Sequence, residues 1–257
     1  MKIKPMTKFA ILALSLVLVA CAGGGSEEAG CPAIDGREIN VVATTPMIGE
    51  FVSQVGGENI NLTVLMPPEA NPHTYEPAPQ DAGTIAEADL VFYTGLLYEP
   101  AALVKLLENS ACSTDILSEV GESVFPIEFK EGGHDDHDDH DDHDDEEGHD
   151  DHEGHNHGAY DPHFWFDPSR VAYAAEYIES RLIQFDPENE SSYISSADSF
   201  VSELNDLTKQ VSELISTVPS QNRKLITTHE SLGYLEAKFG LEVLSTIIPS
   251  LNSANEI

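Results

Sequence analysis

Residues 39–57 read INVVATTPMIGEFVSQVGG. The first six are a short apolar, β-branched run, as in a strand buried on both faces. Thr45-Pro46 then opens an apolar segment that runs to Val55 and is closed by Gly56-Gly57. Proline near the start and glycine past the end predict a helix between them. The same alternation continues outward. Residues 62–66 and 90–93 (LVFY) read as strands, and 81–88 and 99–109 as helices. Strands alternating with helices imply parallel βαβ units, so the expected class is α/β.

Beyond residue 160 the pattern resumes. A helix is expected over 169–185, and Asp186-Pro187 reads as N-cap and first-turn proline of another. In that second helix Tyr193, Ala197, Phe200, Leu204, Leu207, Val211 and Leu214 recur at alternating spacings of four and three, one apolar stripe. About 30 residues at ~1.5 Å each make a rod of roughly 45 Å. That length suits a strut joining two lobes; a coiled-coil dimer seam is the alternative. After Pro219, a strand (224–227), a helix (231–239) and a strand (241–248) begin a new α/β unit. The expected organisation is an N-terminal α/β lobe with mainly parallel sheet over 39–185, a long rigid linking helix over 186–218, and a second lobe over 219–257. With about 39 residues the second lobe is too small for a complete sheet and its covering helices. It reads as truncated.

The first twenty residues look like an export address. Lys2, Lys4 and Lys8 precede twelve apolar residues, FAILALSLVLVA at 9–20. That run is too short to span a bilayer and suits the core of a signal peptide. It ends in Leu18-Val19-Ala20-Cys21, which resembles the lipobox of bacterial lipoproteins, where the cysteine is lipidated and becomes the mature N-terminus. Residues 21–38 are then expected to be a lipid-anchored flexible tether. Export implies an oxidising compartment. With Cys21 lipidated, Cys31 and Cys112 remain, and a disulfide between them is expected.

The charge balance is 46 acidic against 12 basic residues, formally −34. Nucleic-acid binding, which rests on Lys and Arg neutralising phosphates, is excluded on that ground. Part of the excess sits in residues 134–157, which hold eight histidines, thirteen acids and no large apolar residue. Such a stretch cannot bury enough surface to offset its chain entropy, so 131–159 is expected to be a disordered loop. His134, His137, His140, His143, His149, His152, His155 and His157 are candidate weak, interchangeable zinc ligands that collect or buffer metal.

Three histidines lie elsewhere: His73 in NPHTYEP (71–77), His163 in DPHFWFDP (161–168) and His229 in THES (228–231). Each is expected where a strand hands over to a loop, and ligands of open α/β sheets bind beyond the carboxyl ends of strands. Prolines beside the first two restrict the backbone. Three converging imidazoles suit a borderline divalent ion, zinc above all. Glu76, Asp161, Asp167 and Glu230 are candidates to orient the rings, and Phe164 and Trp165 to pack in core or cleft wall. Three histidines and a water also form a hydrolytic zinc site. Against that reading there is no HExxH pattern, since His229-Glu230 is followed by Ser231-Leu232-Gly233, and no nucleophile motif. A third reading is an adhesin or metal store working through the insert.

NPHTYEP, DPHFWFDP and THESLGYLEAKFGLEVLS resemble the metal-binding motifs of the solute-binding proteins of zinc and manganese ABC importers. The order of signal, lipobox, first motif, acidic His-rich insert, second motif, long helix and third motif is similar to the zinc members. The resemblance spans residues 39–257. It implies two α/β lobes joined by a rigid helix, with Zn2+ in the cleft between them. His73 and His163 match the first-lobe ligands and His229 the first second-lobe ligand. Manganese members tend to carry a carboxylate at that third position, so the imidazole favours zinc, with Mn2+ as the alternative. The family's further carboxylate, from late in the second lobe, falls beyond this sequence, and Glu256 does not match it. The implied role is a non-enzymatic monomer outside the cytoplasm that delivers metal to a membrane permease.

Overall fold

The computed structural model describes residues 31, 33–34, 36–128 and 160–247. The leader (1–20), Cys21, the tether up to residue 30 and the eight insert histidines lie outside the described residues.

Four strands, β1 (Ile39–Ala43), β2 (Ile60–Val64), β3 (Leu90–Tyr93) and β4 (Leu117–Glu119), form one sheet in the order β2-β1-β3-β4. All its pairings are parallel. The helices α1 (Pro46–Gly56), α2 (Pro79–Ala86) and α3 (Ala101–Ser110) supply the crossovers. Side chains alternate across the sheet as the strand period requires. Ile39, Val41, Ala43, Leu90 and Phe92 join the core shared with α1, α4 (Pro168–Phe185) and α5 (Glu190–Ser216). Val42 and Val91 face the other way, onto Met66, Ile85, Leu103, Leu107 and Ile116. With helices on both faces, the central strands are apolar on both sides, as the INVVAT run predicts.

α1 shows why the punctuation was readable. Thr45 caps it by accepting from the Ile48 amide at 3.2 Å. Pro46 occupies the first turn, and Gly57 ends it at φ +56°, where a side chain would be strained. β2 is displaced two residues from the 62–66 expectation, although Leu65 and Met66 extend its bonding by donating to Ala43 and Thr44. β4 was not expected at all. It is a three-residue edge strand, Leu117-Ser118-Glu119, with no apolar run to announce it.

One expectation about the long helix is corrected. Pro187–Asn189 forms a separate 3-10 turn, and α5 begins at Glu190. Asp186 does not cap α5; buried, it accepts from Tyr193 Oη at 2.6 Å and Asn189 Nδ2 at 2.8 Å. The apolar stripe is not uniformly buried. Tyr193, Ala197 and Leu204 are covered by α1 and α4, whereas Leu207 and Leu214 are 44% and 69% exposed. The reason is length: α4 has 18 residues against 27 in α5, so the last turns run past their cover. Beyond them β5 (Lys224–Thr227), α6 (Gly233–Phe239) and β6 (Glu242–Thr246) form one parallel βαβ unit.

Two covalent or ionic ties hold the N-terminal segment. Cys31 and Cys112 are joined as a disulfide across 81 residues. Arg37 donates to both oxygens of buried Asp89, at 2.6 and 2.7 Å, and the Asn40 amide donates to the same carboxylate. Arg37→Ala strands that carboxylate with one amide donor. Because Arg37 is itself partly exposed, the expected loss is about 2 kcal/mol, less than a fully buried pair forfeits. Urea unfolding checks this, and an unchanged midpoint contradicts it.

Candidate metal centre

The sheet order reverses direction between β1 and β3, and crevices form at such switch points beyond the carboxyl ends of the strands. Here the loop after β3 is unusual. Gly95, Leu96 and Leu97 all have positive φ, the two leucines at about 1 kcal/mol each. Carboxylates hold them there. Buried Glu99 accepts from the Thr94 and Gly95 amides at 2.7 and 3.0 Å and from Thr44 Oγ1 at 2.7 Å. Glu119 accepts from the Leu96 amide at 2.9 Å. Gly95 is required, because a Cβ would lie 2.0 Å from Glu119 Oε1. Burial raises the Glu99 pKa, opposed by the hydrogen bonds from Thr44, Thr94 and Gly95. The loop delivers Tyr98 to the crevice.

His73 lies on the loop after β2, in a turn where its amide donates to Asn71 Oδ1 at 3.0 Å. His229 follows β5 by two residues, its carbonyl accepting from Thr227 Oγ1 at 2.8 Å. His163 does not follow a sheet strand, contrary to expectation. It comes after an isolated antiparallel bridge, Glu128 to Tyr160, and opens the 3-10 turn Phe164–Phe166. Next to it Phe164 is fully buried, its ring 6.2 Å from that of Phe51. Asp167 caps α4 by accepting from Ser169 N at 2.9 Å. His163 is thus anchored from the core side.

The three rings converge. Their ligating nitrogens all lie within 4.8 Å of one another, the one such cluster of three or more His, Cys, Asp or Glu among the described residues. The ring centroids are 5.5 to 6.2 Å apart. Asp161 Oδ1 sits 2.8 Å from His163 Nδ1 and accepts from the His163 amide at 2.9 Å. That contact fixes Nδ1 as the protonated nitrogen and turns Nε2 toward the other histidines. His163 Nε2 is buried without a hydrogen-bond partner, a cost a native fold rarely leaves uncompensated. Tyr98 meets the His73 ring edge-on at 4.7 Å and Trp165 lies 5.4 Å from His163, so aromatic rings wall the site.

Of the four candidate orienting carboxylates, Asp161 holds a ring. Asp167 caps a helix, Glu76 is exposed, and Glu230, next to His229, is half-buried. Tyr98 was missed by sequence reasoning. Its place just after Leu90–Tyr93, at a strand's carboxyl end, was the available signal.

The sequence model of the ZnuA family, described as zinc-uptake complex component A, periplasmic, matches residues 41–257. The manganese-binding lipoprotein MntA of Halalkalibacterium halodurans is 25% identical over 250 residues, 96% of this chain and 71% of that protein. The manganese ABC transporter substrate-binding lipoprotein PsaA of Streptococcus anginosus is 28% identical over 259 residues, covering 98% and 74%. Among solved structures, that of ZnuA superposes with a TM-score of 0.66 at 23% identity, over 85% of this chain and 75% of that one. The periplasmic zinc-binding protein TroA from Treponema pallidum gives 0.67 at 21%, over 85% and 71%. At these identities the structural likeness establishes the fold, a two-lobe α/β architecture.

Proposed function

Since the chain belongs to the ZnuA family, whose members are extracytoplasmic metal-binding components of ABC importers and not enzymes, we propose that it captures Zn2+ between His73, His163 and His229 and delivers it to a membrane permease. The observation that carries this reading is the buried, unpartnered Nε2 of His163 facing two further imidazoles. Nitrogens on a tetrahedral zinc at ~2.05 Å lie roughly 3.4 Å apart. From a spread of at most 4.8 Å, no pair has more than about 1.4 Å to close. His163 is clamped by Asp161, so the closing falls to the loops that carry His73 and His229. A lipid anchor at Cys21 and a monomeric working state belong to the same proposal.

A second reading, manganese, is favoured by the names of the relatives. The donor set favours zinc, because imidazole nitrogen suits zinc whereas carboxylate and water oxygens suit manganese. The test is metal content after purification without chelator from medium holding both ions. One tightly held zinc per chain is expected. One manganese per chain moves the cargo to the second reading, and no retained divalent metal overturns both.

Metal binds the neutral imidazole. Burial lowers the His229 pKa below the ordinary histidine value, as does neighbouring His163, with Asp161 opposing. Protons then compete less at neutrality. Zinc affinity is expected to stay level from about pH 8 to 7 and to fall as protons compete around the ordinary histidine value of ~6.5 and below it. Chelator competition across that range checks this. An affinity already declining between about pH 8 and 7 contradicts it.

A further inference from the structure

Residues Ile127 and Asp161 face each other just inside the Glu128 to Tyr160 bridge. In an antiparallel hydrogen-bonded pair the two residues exchange both N–H···O bonds. Here one bond is direct: the Asp161 amide donates to the Ile127 carbonyl at 2.9 Å. The other is replaced by a side chain. The Ile127 amide donates to Tyr234 Oη at 3.2 Å, and that hydroxyl donates to the Asp161 carbonyl at 2.8 Å. Tyr234 is fully buried and belongs to α6, in the unit that carries His229. Its neighbour Gly233 packs so closely that a Cβ would lie 2.7 Å from Asp161 Oδ2. The Lys238 ammonium, one turn on, donates to Ser169 Oγ at 2.8 Å.

We propose that Tyr234 is a positioning residue of the metal site: its hydroxyl, spliced into the Ile127–Asp161 pairing, fixes His229's unit against the carboxylate that orients His163. The inference rests on the three-histidine site. Asp161 is the joint, with its side chain on His163 and its carbonyl on Tyr234. Without the hydroxyl, the carbonyl loses its donor and the separation of His163 from His229 is no longer set.

Zinc affinity by chelator competition and the visible spectrum of the Co2+ complex are measured for the full chain and for Tyr234→Phe, His163→Ala and the double variant. Tyr234→Phe is expected to weaken zinc about tenfold, as loss of a ligand's supporting partner does, and to alter the Co2+ bands. In the His163→Ala background the same change is expected to have no further effect. Unchanged affinity and spectrum in Tyr234→Phe, or an equal loss in both backgrounds, overturn the proposal. The second result identifies a merely structural residue. If Tyr234→Phe does not fold, Gly233→Ala, which intrudes on Asp161 and keeps the hydroxyl, is expected to weaken zinc likewise, and unchanged affinity there overturns the proposal. If His163→Ala itself leaves zinc affinity intact, it is the metal-site reading that fails.

Discussion

His163→Ala is expected to abolish the proposed tight zinc binding, raising the dissociation constant by more than about a hundredfold. Removing a partner that only supports a ligand costs ~10–100-fold, and removing the ligand costs more. His163 is the variant to choose because its ring is already oriented, so the wild type spends little ordering entropy on it. Asp161 presets the tautomer, Phe164 anchors the backbone, and the rings of Tyr98 and Trp165 wall the imidazole. The substitution also leaves Asp161 buried with the amide of residue 163 as its remaining donor there, which costs about 1–3 kcal/mol of stability. The two effects separate experimentally. Calorimetric titration with zinc reads the first, and unfolding of the metal-free chain reads the second. A variant that unfolds earlier but binds zinc within tenfold of wild type removes His163 from the site.

The elements that were legible in the sequence are those whose local chemistry is complete. β3 and β5 match their expected bounds, and α1 carries its own cap, proline and terminal glycine. β4 was invisible because an edge strand of three residues needs no apolar alternation. The exposed end of α5 was invisible because a periodic stripe says which face is apolar, not how far its cover extends. The histidines could be found by elimination, since those outside the acidic insert numbered three. Asp161 could be nominated from its two-residue spacing to His163, although spacing did not separate it from Asp167, which caps a helix. Tyr98 carried only the weak signal of its place after β3, and Tyr234 carried none. A tyrosine after a strand or inside a helix looks like any core aromatic, and the bond from Tyr234 to Asp161 joins residues 73 apart in sequence. Long-range contacts of that kind arise from topology, which no local pattern encodes.

Replacing Cys31 and Cys112 together by serine is expected to destabilise the fold by about 4 kcal/mol without changing zinc affinity. The stability term follows from the chain. Closing a loop of 81 residues removes denatured-state entropy worth ~4.5 kcal/mol, and native disulfides commonly return 2–5. For a body of this size that is a fall in Tm of roughly 10 °C. The independence of affinity follows from place. Cys112 lies between the end of α3 and the start of β4, at the amino-terminal edge of the parallel sheet, where Arg37 and Asp89 also pair. The histidines gather beyond the carboxyl ends of the strands, on the opposite edge. An export address is consistent with a compartment in which the bond persists. Differential scanning calorimetry with and without reductant, beside zinc titration of the serine variant, gives both readouts. A Tm shift under about 2 °C shows that the denatured chain gains little freedom when the link is cut. A matching loss of zinc affinity shows instead that the two edges of the sheet are mechanically coupled.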